Sequence, residues 1–191
     1  MAEILLVVDE IIAFMPEGNL PVPTGREVIE PTNTAIRHAK QVGIKIIKAN
    51  DSHPENSIHF DTWPPHAIAG TPDAKPPVEL LHDDDMTTLL KGTGPNEHGY
   101  SAFEGRSQDG TTLDDMVGEG DTIHIAGLVT EHCIMTAALD SASRGIKTRV
   151  LSDAIRPFNE QEAAAAIRKM EDAGVVFSSV SEFIATHPIP Q

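Results

Sequence analysis

Cysteine is almost absent: the sole thiol of the 191-residue chain is Cys133, so no intramolecular disulfide can form and a reducing cytoplasm is the simplest expected compartment. Basic residues are scarce as well. Fourteen Lys and Arg face 29 Asp and Glu, a formal net charge of −15, and so acidic a chain repels phosphate backbones and anionic lipid surfaces. Nucleic-acid binding is therefore not expected. No apolar run approaches the roughly 20 residues of a membrane span. The short apolar stretch over residues 4–8 has no basic flank and runs into Asp9 and Glu10, so it reads as a strand rather than a signal peptide. There is one tryptophan, Trp63, and one tyrosine, Tyr100.

What is present is alternation. Residues 3–9 form a continuous β-prone run of the kind buried on both faces of a parallel sheet. A loop rich in proline and glycine follows over 11–31, then a helical pattern over 33–42 with Gly43 where a C′ residue belongs. Residues 44–49 read as the second strand. The segment 51–80 is proline-rich, has no periodicity and carries His53, His59 and His66; so long an irregular stretch inside a compact unit marks a functional loop. Further strands are expected over 122–128, 148–152 and 175–178, and a short strand or helix end over 87–92. Helices are expected over 112–117, 131–143, 160–173 and 181–186. Strand–helix alternation at this spacing predicts one α/β domain over residues 1–191, a three-layer α/β/α unit with a mostly parallel sheet.

Ligands of such sheets bind beyond the carboxyl ends of the strands. Asp9, Asp51, Lys91 and Cys133 all fall at or just past those ends. Cys133 sits in the first turn of a predicted helix, where the helix N-terminus is expected to lower the thiol pKa and to offer backbone N–H groups to an oxyanion. A lone cysteine is also commonly a small buried hydrophobe. Asp51 and His53 lie two apart in extended chain and share a side, and with His59 and His66 they suit a Zn²⁺, Fe²⁺ or Mn²⁺ ion; a solvated polar loop is the bland alternative. His38 is expected on an exposed helix face and His82 in solvent. Neither these two nor His124 and His187 receive a role. The run from Asp83 to Asp85 reads as a solvated turn.

Taken in order, Val7-Val-Asp9 with Phe14, Asp51-Ser-His53, Trp63-Pro-Pro-His66 with Gly70-Thr71, Lys91-Gly92, Tyr100-Ser-Ala-Phe103 and Gly127-Leu-Val-Thr-Glu-His-Cys133 resemble the nicotinamidase/pyrazinamidase branch of the isochorismatase-like cysteine hydrolases. The resemblance spans nearly the whole chain. It implies that fold, a catalytic triad of Asp9, Lys91 and Cys133, and an oxyanion hole from the backbone N–H groups of Val129 and Cys133. It further implies a cis peptide between Leu128 and Val129. Metal ligands would be Asp51, His53 and His66, with His59 where some members supply another, holding one divalent ion, with zinc first and iron or manganese as alternatives. Phe14, Trp63 and Tyr100 would pack the substrate ring. The implied activity is hydrolysis of nicotinamide and pyrazinamide-like carboxamides to acid and ammonia through a cysteine thioester, by a cytoplasmic homo-oligomer acting on a small-molecule amide. NAD salvage and pyridine catabolism both remain open as its setting.

Departures fall at Glu10-Ile-Ile-Ala13, apolar where the family is commonly polar, at Ser52 in place of a usual tryptophan, and at Ala67 in place of a cysteine. They bear on the substrate more than on the chemistry. Alternative readings are a related cysteine hydrolase of a carbamoyl or ureido compound, a metal-water hydrolase on the same fold, and a binding protein without turnover.

Overall fold

The structure is a computed structural model that describes residues 1–190. Six strands, β1 (Glu3–Val8), β2 (Lys45–Asp51), β3 (Thr87–Lys91), β4 (Thr122–Leu128), β5 (Lys147–Arg156) and β6 (Val176–Ser178), form one parallel sheet in the order β3-β2-β1-β4-β5-β6. Four helices cover it: α1 (Ile29–Val42), α2 (Met135–Ser143), α3 (Glu160–Asp172) and α4 (Val180–Thr186).

The two faces of β1 show why its apolar run is unbroken. Ile4, Leu6 and Val8 pack with Ile134, Ala137 and Ala138 on the α2 side and with Ala166 and Met170 of α3. Leu5 and Val7 point the other way, onto Ala35, Ile36 and Ala39 of α1 and Val180 and Phe183 of α4. Each such side chain stabilises the fold by about 1.5–3 kcal/mol of apolar burial. The result is the expected three-layer α/β/α arrangement. Strand order reverses between β1 and β4, and the crevice beyond their carboxyl ends is where this topology places ligands.

Three local expectations need correction. The helix expected over 112–117 does not form, because Thr112 and Asp115 take each other's backbone N–H groups with their side chains and hold the segment in bends. Helix α1 begins four residues before the expected Asn33, and β5 runs on to Arg156 past a register shift opposite Gly127. His38 is buried rather than on an exposed face; its Nε2 lies 2.7 Å from the His187 carbonyl oxygen and its ring packs on Phe183. No helix among the described residues is long and apolar enough to cross a membrane.

Candidate functional site

Each strand end delivers one group. Asp9 follows β1 in the left-handed region at φ +52°, a conformation aspartate tolerates better than most side chains, and this turn keeps its fully buried carboxylate at the switch point. Asp51 closes β2 and Lys91 closes β3, and the two are direct partners in the parallel register. Cys133 lies in a single π-helical turn, Thr130–Ile134, between β4 and α2, where Met135 N–H bonds back to the Thr130 carbonyl. The Leu128–Val129 peptide preceding it is cis.

Lys91 is the hub. Its Nζ lies 2.7 Å from Asp9 Oδ2, donates to Asp51 Oδ1 and to the Gly99 carbonyl at 2.8 Å, and stands 3.6 Å from Cys133 Sγ. Burial drives the ammonium toward neutrality, but Asp51 and Asp9 outweigh it and hold its pKa well above the usual range. Asp51 feels the converse: burial pushes its carboxyl up, and Lys91 with His53 and His66 reverses the sign and holds it well below. Asp9 is raised to about 6, by burial first and by the Asp51 charge second, against the pull of Lys91. At neutral pH it is mostly ionised yet basic enough to take a proton.

The thiol departs from the sequence expectation. Burial pushes Cys133 well above its usual value, and the attraction of Lys91 does not compensate, with Asp9 and Asp51 adding repulsion. Helix N-terminal position alone does not make this thiol acidic. It rests protonated, beside the ionised carboxylate of Asp9.

The irregular segment folds back as an ion cradle. His53 N–H donates to the Ala67 carbonyl and Ala69 N–H to that of His53, which brings His66 beside His53. Ser57 accepts from the His59 N–H and starts the turn that carries this residue. His53 Nδ1 faces the Gly92 carbonyl at 3.1 Å and His66 Nδ1 that of Pro64 at 2.8 Å. Carbonyls only accept, so both protons sit on Nδ1 and both Nε2 lone pairs point inward. His53 Nε2, His66 Nε2 and His59 Nδ1 are buried without a hydrogen-bond partner, and the three rings offer nitrogens all within 4.8 Å of one another. Asp51 Oδ2 stands 3.6 Å from His53 Nε2 and 3.9 Å from His66 Nε2. Orphaned nitrogens beside a carboxylate, two of them on rings whose tautomer is fixed, are the donor set of a divalent metal ion, and these residues fit one. Burial, then the neighbouring His53, lowers His59 to about 3, so that ring too is neutral and able to ligate.

Between cradle and thiol lies a narrow cleft with only about 10 Å³ of free space, lined by Phe14, Trp63, Tyr100, Val129 and Cys133. Trp63 Nε1–H donates to the Tyr100 hydroxyl at 2.9 Å. All eleven residues singled out from the sequence therefore meet in one place. Three further wall residues had no assigned role there: Leu20, His132 and Phe158. Trp63 stacks on Phe158 at 5.9 Å and meets His132 edge-on at 5.0 Å. Phe158 is held by Glu131, whose Oε1 accepts the Phe158 and Asn159 N–H groups at 2.9 and 2.7 Å.

Known proteins share this sequence pattern and fold. The chain is 29% identical over 208 residues to a nicotinamidase of Escherichia coli strain K12, covering 95% of this chain and 97% of the relative. Its structure is similar to that of the Pyrococcus horikoshii pyrazinamidase in complex with zinc, with TM-score 0.83, 32% identity, and 94% and 99% of the two chains covered. It is also similar to PnC1 from L. infantum in complex with nicotinate, with TM-score 0.81, 25% identity, and 94% and 93% covered. Residues 3–182 match the model of the isochorismatase domain, and the chain belongs to that family, on its nicotinamidase/pyrazinamidase branch.

Proposed function

We propose that this protein hydrolyses nicotinamide, and small aromatic carboxamides like it, to the acid and ammonia. The observation that carries the reading is the contact set of Lys91 Nζ, with a carboxylate, an ammonium and a thiol in one buried cluster beside a cleft walled by aromatic rings.

In this reading Asp9 Oδ2 takes the proton of the Cys133 thiol as Sγ attacks the carboxamide carbon. The backbone N–H groups of Val129 and Cys133 receive the oxyanion, and Lys91 supplies positive charge beside it. Asp9 returns the proton to the departing amine, ammonia leaves, and a thioester to Cys133 remains. Asp9 next accepts a proton from water as the water attacks the thioester carbon, and that proton goes to Cys133 Sγ as the acid is released. A pKa near 6 suits Asp9 to both directions of transfer. Phe14, Trp63 and Tyr100 sandwich the ring and fix the carboxamide against Sγ. Asp51, His53 and His66, with His59 beside them, would hold the metal ion, for which zinc is the choice; when bound it offers a Lewis-acid point that can take a ring nitrogen and orient the substrate. One isochorismatase-like domain in the cytoplasm, assembled as a homo-oligomer, completes the proposal.

The test is ammonia release from nicotinamide by metal-loaded protein, with Cys133→Ala in parallel. Wild-type turnover that the variant reduces at least about 1,000-fold is the expected result. Comparable activity in both would overturn the thioester route, and no wild-type release in zinc-loaded protein would remove nicotinamide as substrate.

A further inference from the structure

A second group of metal-ligating side chains meets at the opposite end of the sheet. Glu3 opens β1, His124 lies near the start of β4 and His187 follows α4, so the three sit at the amino-terminal rim of the strands. His124 Nε2 is 3.3 Å from Glu3 Oε2, and His187 Nε2 is 2.5 Å from the same oxygen. Phe183 backs the cluster, its ring centroid 4.7 Å from that of His124 and 4.8 Å from that of His187. From α1, His38 Nε2 lies 2.7 Å from the His187 carbonyl and can donate to it, anchoring the backbone at that residue.

A proton count shows what the cluster lacks. His187 Nδ1 is 2.7 Å from the Phe183 carbonyl oxygen, so Nδ1 carries a proton. Thr186 Oγ1, also near this nitrogen, spends its own proton on the Glu182 or Phe183 carbonyl and so accepts from it. In a neutral His187 ring, Nε2 therefore aims a lone pair at a carboxylate oxygen, two acceptors facing each other at 2.5 Å. A proton or a metal ion must bridge them. A second proton on His187 would bridge that pair alone, whereas a metal ion would also take in His124 Nε2, which faces the same carboxylate oxygen at 3.3 Å. His124 is buried, and its Nε2 faces the same carboxylate oxygen as His187 Nε2. Tetrahedral zinc with ligands at about 2.0–2.1 Å keeps neighbouring donors about 3.3 Å apart, the spacing His124 and Glu3 already have. His187 would have to retract by less than about 1 Å at the end of α4.

We propose that Glu3, His124 and His187 form a second site for a borderline divalent transition-metal ion such as Zn²⁺, clipping the segment after α4 to the first strand. Two imidazoles and a carboxylate are a ligand set for such ions and leave a fourth position for water. The Glu3 side chain is 39% exposed, which gives the ion a way in.

The test counts bound metal. Metal-free protein is saturated with Zn²⁺, desalted and analysed for zinc per chain, beside Glu3→Gln and His187→Ala. Wild type is expected to hold one equivalent more than either variant, with a zinc-edge anomalous peak between the three side chains in its crystals. The cradle of Asp51, His53 and His66 is the same in all three proteins, so the difference reports this site alone. Should His187→Ala fail to fold, Glu3→Gln, altered at a partly exposed side chain, carries the comparison. Equal zinc in wild type and Glu3→Gln, with no anomalous peak at Glu3, would overturn the proposal and leave a protonated His187–Glu3 pair.

Discussion

Replacing Lys91 by methionine keeps the length of the side chain and removes its charge. In the structure that charge lies 2.7 Å from Asp9 Oδ2 and bonds Asp51, and the two carboxylates are 0% and 3% exposed. Breaking a buried ion pair by deleting one partner costs about 3–5 kcal/mol, because the remaining charge keeps its desolvation penalty without its attraction. Here two like charges remain, so the upper half of that range applies until one of them takes up a proton. For a chain of this length, each kcal/mol moves the melting temperature by about 2–4 °C, which gives a fall of roughly 8–20 °C. A bound divalent ion would offset part of it, so the comparison belongs in chelator, by calorimetry at neutral pH. Turnover of the metal-loaded variant should fall at least about 100-fold, the usual loss for a group that stabilises developing charge. Lys91→Arg should not restore it, since a planar guanidinium cannot occupy the space shared by two carboxylates and the Gly99 carbonyl. A melting temperature within about 2 °C of wild type would refute the claim that Lys91 balances both carboxylates.

Two further outcomes follow from the same physics. Burial raises Glu10 to about 8 from its ordinary 4.5, against the pull of Thr32 and Lys48. Between those values the folded protein keeps a proton that the unfolded chain has released, so stability falls as pH rises through the window, by at most about 1.4 kcal/mol per unit. Glu10→Gln removes that slope and should gain on wild type between about pH 5 and about pH 8 in urea titrations; equal slopes would show that Glu10 is ionised when folded. Gly127 carries φ +122°, and a Cβ there would stand 1.9 Å from the Val8 carbonyl oxygen. Gly127→Ala should cost on the order of 4 kcal/mol in strain and overpacking, read as a lower urea midpoint or insoluble protein. An unchanged midpoint would mean β1 and β4 do not approach as closely as described.

Sequence patterns were most legible where one interaction dominates. The run from Glu3 to Val8 could only be a strand buried on both faces, and the reactive side chains at the strand ends stood out as candidates for one site. The histidines of the 51–80 segment were readable as a cradle because proline stiffens a loop and leaves few ways to fold back. Competing interactions defeated the pattern elsewhere. A helical reading of 112–117 lost to two short polar side chains, and the acidity expected of Cys133 from its helical turn lost to desolvation. Phe158 had no signal at all: it reaches the pocket because Glu131, 27 residues away in the chain, captures its backbone N–H. Contacts that depend on such distant capture leave no periodicity to read.

The single indole of the protein belongs to Trp63, in the wall of the pocket, hydrogen-bonded to the single phenol at Tyr100 and stacked on Phe158. Ultraviolet emission from the whole molecule therefore originates at the place where a ligand would lie, with no background from elsewhere in the chain. A π-deficient ring entering between these groups sits within quenching distance, so occupancy and its millisecond kinetics are open to stopped-flow fluorescence with unlabelled protein. The protein carries its own reporter, and that reporter is part of the surface it reports on.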